Sequence, residues 1–169
     1  MKTLILYSSY DGQTQKIAQF LAEKLSAEVR SINENMADLA EFERIIIGAS
    51  IRYGHFNKLL YKFIEKNTSL LNHKKTAFFG VNLTARKADK NTPETNVYVR
   101  KFLQRIAWKP TCAAVFAGAL LYPRYGWFDR MMIRFIMKIT GGETDTSKEV
   151  EYTDWQKVAA FAEQIKLLS

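Results

Sequence analysis

Eight consecutive residues near the N-terminus, Tyr7-Ser8-Ser9-Tyr10-Asp11-Gly12-Gln13-Thr14, bring hydroxyls, a carboxylate and one glycine directly after an apolar run. Helical spacing of apolar residues follows, through Ile17, Phe20, Leu21 and Leu25. A strand that turns into a helix at such a loop presents unsatisfied backbone N–H groups, which favour an anion. Gly12 lets the backbone turn and approach a ligand closely. Ser9 and Thr14 can donate hydroxyl hydrogen bonds to phosphate oxygens, and Asp11 is placed to cap the helix. The same residue types also suit an ordinary capped strand-to-helix turn. The loop is not a Walker loop, because no Gly-Lys-Ser/Thr follows, and its single glycine excludes a GxGxxG fingerprint.

A second concentration of chemistry is electrostatic. The chain carries a net charge of +8, and residues 84–139 alone hold 11 Lys or Arg against 3 Asp or Glu. Such a block suggests an anionic partner, or else a solvated basic face. Within it, Arg130, Arg134 and Lys138 recur at i, i+4 and i+8 and fall on one helical stripe. Phe128, Met131, Met132, Phe135, Ile136 and Ile139 fill the opposite arc, and Gly141-Gly142 ends the helix. Cationic residues opposite Met and aromatic ones suit a helix lying in a membrane interface, although such an arc also serves as core packing. No helix-turn-helix, zinc or RNP signature supports nucleic acid as the anion. His55 and His73 are too few for a metal site. A lone Cys112 excludes a disulfide scaffold and reads as a buried, inert thiol.

The elements that must position these residues follow from hydropathy. The 169 residues, 47% hydrophobic and 25% charged, describe one domain, 1–169, with a real core. The longest uncharged apolar run, Cys112 to Tyr122, is too short to cross a bilayer. Met1 to Ser8 reads as a first strand rather than a leader. Further strands are expected at 27–32, 44–50, 76–81 and 113–121. Helices are expected from Gln13, around Phe56–Ile64, from Pro93 to about Ala107, and over 152–168 with a cap at Thr153 or Asp154. Doubly apolar strands alternating with helices specify an α/β fold with a doubly wound, five-stranded parallel sheet. An insertion of about residues 122–151 follows the fifth strand. Ligands of such sheets sit at the carboxyl ends of the strands, near the switch in strand order.

The stretch Tyr7 to Thr14 resembles the phosphate loop of the flavodoxins, which wraps the phosphate of FMN, except that Asp11 stands where that family usually carries Thr. Four further segments extend the likeness over nearly the whole chain: Ile47-Gly48-Ala49-Ser50-Ile51-Arg52-Tyr53-Gly54-His55, Val81-Asn82-Leu83-Thr84-Ala85-Arg86-Lys87, Ala117-Gly118-Ala119-Leu120-Leu121-Tyr122-Pro123-Arg124-Tyr125 and Gly141-Gly142-Glu143-Thr144-Asp145-Thr146. Together these resemble the menaquinone-dependent protoporphyrinogen IX dehydrogenases, flavodoxin-like enzymes of bacterial haem biosynthesis.

That resemblance implies FMN as cofactor, protoporphyrinogen IX as electron donor and menaquinone or another quinone as acceptor. It implies cofactor contacts from Ser9, Tyr10, Asp11, Gly12, Gln13 and Thr14 on the phosphate. Ser50, Ile51, Arg52, Tyr53 and Gly54, with Asn82, Leu83, Thr84, Ala85 and Arg86, would bed the flavin ring. Tyr53 would stack on the ring, and Arg52, Arg86 or Lys87 would stabilise its anionic reduced form. Asp11 is expected to point away from the phosphate, its charge absorbed by the helix cap. Lys87, Arg124, Tyr125 and Arg130 are the expected contacts of the carboxylate-bearing macrocycle. The place implied is the cytoplasmic face of the inner membrane, held peripherally on anionic lipid, with oligomeric state left open. Competing readings are a flavodoxin-type electron carrier, which a pI near 9.5 disfavours, and an NAD(P)H:quinone reductase, for which no second fingerprint is visible. A receiver domain would need paired acidic residues where Ser8-Ser9 stand.

Overall fold

The computed structural model describes residues 1–34 and 36–168. Five strands, β1 (Thr3–Ser8), β2 (Glu28–Ser31), β3 (Arg44–Ser50), β4 (Lys75–Asn82) and β5 (Cys112–Ala117), form one sheet in the order β2-β1-β3-β4-β5. Every neighbouring pair is parallel. The strand order reverses between β1 and β3, which places the switch point at the carboxyl ends of those two strands. This is the doubly wound arrangement that strand patterning and resemblance both imply.

The reason lies in burial on both faces. Ile45, Ile46 and Ile47 of β3 are fully buried, each worth roughly 1.5–3 kcal/mol of apolar transfer. Alternation sends Leu4, Leu6, Ile45 and Ile47 to one face and Ile5 and Ile46 to the other. The first face packs against α2 (Lys58–Asn72) and α3 (Val97–Arg105) through Leu60, Ile64, Val99 and Phe102. The second packs against α1 (Gln13–Leu25) and α5 (Trp155–Lys166) through Ile17, Leu21, Val158 and Phe161. Gly48 sits mid-sheet opposite Phe79, whose ring lies across it: a Cβ added at Gly48 would stand 2.0 Å from the ring.

Several boundaries differ from the sequence expectation. The fifth strand ends at Ala117, and Gly118 hands the chain to β6 (Ala119–Leu121), which pairs antiparallel with β7 (Glu149–Glu151) in a separate two-stranded sheet. Apolar content alone cannot mark that break, because the residues on both sides of Gly118 are apolar. Pro93 precedes α3 by a turn. Asn96 caps the helix, its side chain accepting from Val99 N–H. Asp11 does not cap α1: Gly12 does, at φ 99°, with no side-chain hydrogen bond. Asp154 caps α5, accepting from the N–H groups of Gln156 and Lys157. Cys112 is only half-buried at the start of β5, and burial pushes its thiol pKa up.

Between β6 and β7 runs α4 (Trp127–Thr140), ended by Gly141 in the left-handed region. It packs on a third small core of Leu120, Leu121, Tyr122 and Tyr125 through Ile133 and Met137, an i, i+4 spine. Replacing Gly48 with Ala is expected to lower stability by about 1–3 kcal/mol through overpacking against Phe79, read as a reduced midpoint in urea unfolding.

Candidate functional site

Three strand ends converge on one cleft of about 710 Å³, lined by residues of the Ser9–Thr14 loop, the Ser50–His55 loop and the Val81–Arg86 segment. Tyr98, Gly118, Ala119 and Tyr125 complete its sides, and Met132, Ile133, Ile136, Met137 and Thr140 of α4 form one wall.

At the first strand end, Ser9 Oγ accepts from Gly12 N–H at 2.9 Å and tightens the loop. No side chain caps α1 among the described residues, and its first residues, Gln13 and Thr14, line the cleft, so the orphan N–H groups of that turn are at hand for a ligand there. Gln13 lends its side chain to scaffolding: Nε2 donates to Glu151 at 3.2 Å and to Thr153 Oγ1 at 3.0 Å, wiring α1 to β7. Two hydroxyls that line the cleft, Thr14 Oγ1 and Ser50 Oγ, are buried with no hydrogen-bond partner among the described residues. A buried polar group left unpaired costs about 1–3 kcal/mol, so both await a ligand atom.

At the second strand end, Arg52 and His55 exchange backbone hydrogen bonds at 3.0 and 3.1 Å, closing a two-residue turn. Its central residues, Tyr53 (φ 52°) and Gly54 (φ 80°), are both left-handed, as in a type I′ turn. The turn lifts Tyr53 out of the loop, and its hydroxyl donates to Asp129. Burial and the Asp129 acceptor push the Tyr53 phenol up to about 12, so it remains a proton donor. The Arg52 guanidinium lies between the rings of Tyr10 and Tyr125, 5.0 and 5.2 Å from their centroids. It pairs with Asp11 and reaches Asp129 at 3.3 Å. Burial opposes the Arg52 charge, but the two carboxylates more than restore it, raising its pKa.

The third strand end is fixed by a buried amide pair. Asn82 Nδ2 donates to Asn96 Oδ1 at 3.0 Å, and Asn96 Nδ2 returns a bond to Asn82 Oδ1 at 3.1 Å. Asn82 Oδ1 also accepts from Ala85 N–H at 2.9 Å, which shapes the following turn. Arg86 then crosses to α4, donating to Thr140 Oγ1 at 2.9 Å and to its carbonyl at 3.2 Å.

Residues 4–147 match the flavodoxin domain family model. Across the full chain, 51% of residues are identical to protoporphyrinogen IX dehydrogenase [quinone] of Escherichia coli strain K12, over 97% of that protein. A protein of the same name from Leishmania major is 49% identical over 99% of this chain and 75% of its own length. The chain belongs to the protoporphyrinogen IX dehydrogenase family of flavodoxin-domain proteins. Oxidised flavodoxin 1 of Bacillus cereus shares the fold over the whole of both chains, at 19% identity and TM-score 0.58.

The cleft suits the cofactor of a flavodoxin domain. The Thr14 hydroxyl and the free amides of α1 offer donors to a phosphate monoester, and the Tyr53 and Val81–Leu83 segments offer apolar and backbone surface to a flat ring. The residues present therefore fit FMN.

Among the expected contacts, all of Ser9, Tyr10, Asp11, Gln13, Thr14, Ser50, Ile51, Arg52, Tyr53, Gly54, Asn82, Leu83, Thr84 and Arg86 line this cleft. Gly12 shapes the loop, and Ala85 is buried in the core instead. Asp11 does turn to a partner, but that partner is Arg52 rather than the helix cap, since Gly12 occupies the cap position. Arg52 is engaged by two carboxylates, so its charge is already compensated. Arg86 is held by neutral acceptors, the Leu83 carbonyl and Thr140, and keeps its positive charge at the cleft.

Of the expected macrocycle contacts, Tyr125 lines the cleft, its hydroxyl accepting from Leu121 N–H. Lys87 lies outside the lining. Arg124 pairs with Glu149, and Arg130 donates to the carbonyls of Tyr122 and Tyr125. Sequence reasoning missed Asp129, Ile133, Met137 and Thr140. The i, i+4 spacing of Ile133 and Met137 was an available signal; nothing in the sequence flags Thr140 as a partner of Arg86.

Arg52 compensates the charge of Asp11. Arg52→Ala should weaken FMN binding about tenfold or more, because a bare carboxylate then faces the phosphate. Adding Asp11→Asn should restore most of the loss. Fluorescence-quenching titrations of the two single variants and the double variant measure this coupling.

Proposed function

We propose that the chain oxidises protoporphyrinogen IX to protoporphyrin IX and delivers the electrons to a quinone, with FMN in the cleft and the outer face of α4 resting on an anionic membrane surface. The observation that carries the reaction is 51% identity along the entire chain with a dehydrogenase of that name. Removal of six hydrogens from the porphyrinogen balances reduction of three quinones to quinols. FMN supplies the two-electron chemistry linking the two half-reactions when bound.

The chain's own residues do the rest. Thr14 and the first amides of α1 hold the phosphate end. Tyr53 and the Asn82-braced turn orient the ring end. Met132, Ile133, Ile136 and Met137 give the cleft an apolar wall that excludes water and offers surface to an apolar macrocycle or quinone. Tyr125 is retained as a substrate contact. Lys87, which has no ion pair among the described residues, is retained as a cation for a propionate.

The membrane contact is assigned to α4. Its apolar arc is not core: Trp127, Phe128, Met131, Phe135 and Ile139 are each more than half exposed. Arg134 and Lys138 flank that arc, exposed and without an ion pair among the described residues. Arg130 has left the basic stripe for backbone carbonyls. An apolar strip beside free cations is complementary to an anionic lipid surface. Among the described residues no helix is long and apolar enough to cross a membrane, so contact would be peripheral.

The deciding assay adds FMN to the purified chain and follows protoporphyrinogen IX oxidation with menaquinone, ubiquinone or NAD(P)+ as sole acceptor. Turnover with a quinone is expected. FMN binding without porphyrinogen turnover would point to an electron carrier. Turnover with NAD(P)+ alone would contradict the proposal.

Separately, replacing Arg134 and Lys138 with Glu should reduce partition into anionic vesicles at least about tenfold, at roughly 1 kcal/mol for each basic residue removed. Binding to neutral vesicles should change far less. Equal partition of both proteins into anionic vesicles would exclude the lipid contact.

A further inference from the structure

α4 is joined to two of the loops that line the cleft, one at each end. At its first turn, Asp129 accepts from the Tyr53 hydroxyl and from Arg52 Nη1. At its last residue, Thr140 accepts from Arg86. Arg52 also pairs with Asp11 in the phosphate loop. One guanidinium and one phenol therefore connect the phosphate loop, the ring loop and the insertion helix through two carboxylates, Asp11 and Asp129. Besides these contacts, Arg130 ties the N-terminal half of α4 to the Tyr122 and Tyr125 carbonyls. Trp127, Phe128, Met131 and Met132 are exposed, and the buried spine begins only at Ile133.

We propose that Asp129 is a positioning residue of the flavin site. It orients Tyr53 and Arg52 over the cleft and so couples cofactor occupancy to the seating of α4. The inference rests on the reading that the cleft holds FMN. Tyr53 stands at a left-handed φ in an exposed turn, so its ring orientation depends on what its hydroxyl meets. Cofactor bound against the Tyr53 loop narrows the motion of that loop, and the Asp129 contacts pass that restriction to the first turn of α4. By reciprocity, a seated α4 must bind cofactor more tightly than a loose one.

The test uses the full chain freed of FMN and titrated with FMN, with two readouts. Quenching of FMN fluorescence gives affinity. Tryptic cleavage after Arg134 and Lys138 reports how firmly α4 is seated. In the wild type, saturating FMN should slow cleavage within α4 about tenfold. Asp129→Ala should weaken FMN about tenfold and, at saturating FMN, abolish the protection. Tyr53→Phe should weaken FMN as well, and its effect should not add to that of Asp129→Ala. Asp129→Glu, which keeps the carboxylate, should recover part of the protection.

FMN quenching with equal protection of α4 in wild type and Asp129→Ala would overturn this inference and leave the cofactor reading standing. Additive losses in the double variant would likewise overturn it. No quenching by the wild type would overturn both.

Discussion

Arg52 joins positions that lie 41 and 77 residues away in sequence, Asp11 in the phosphate loop and Asp129 in the insertion helix. Its guanidinium is held between two tyrosine rings, where water access is reduced and charge pairing strengthens. Without this cation, the loop that should receive a phosphate would expose an unpaired carboxylate, and the helix that walls the cleft would lose its front contact. The pairing removes the charge that Asp11 would otherwise present to an anion at this turn. That charge is consumed by a neighbour on the next strand end, at a register fixed by the parallel pairing of β1 with β3.

Binding and scaffolding are divided between backbone and side chain at the strand ends. Gln13 and Asn82 sit where ligand contacts are expected, yet their side chains brace the surrounding turns through Glu151, Thr153, Asn96 and Ala85. That leaves backbone groups and two unpaired hydroxyls, those of Thr14 and Ser50, to face the cleft. Preorganised donors of this kind need no rearrangement when a ligand arrives.

The insertion helix presents three different surfaces. Ile133 and Met137 form the buried spine, Met132 and Ile136 turn toward the cleft, and the aromatic and Met arc beyond them faces outward. A flavodoxin domain with this addition gains a wall on its ligand cleft and an exposed apolar strip in one element. Both suit substrates that are large and apolar.

Much of this was legible in the sequence because it depends on local order. The triple isoleucine of β3, the Ser-rich turn before α1 and the alternation of apolar runs with helical spacing each specify their element through neighbours in the chain. The span of α4 was legible for the same reason: its apolar and basic residues repeat at helical spacing and Gly141 ends it. Which arc of α4 would be buried was not legible, because an exposed Met-rich face and a packed one have the same periodicity. Nor were the partners of Asp11, Arg52, Arg86 and Arg130, since an ion pair or hydrogen bond across tens of residues leaves no spacing signature. Local propensity and hydropathy determined which segments became strands and helices. Only the closing of the parallel sheet, which carries distant loops to one rim, decided which charges would meet there.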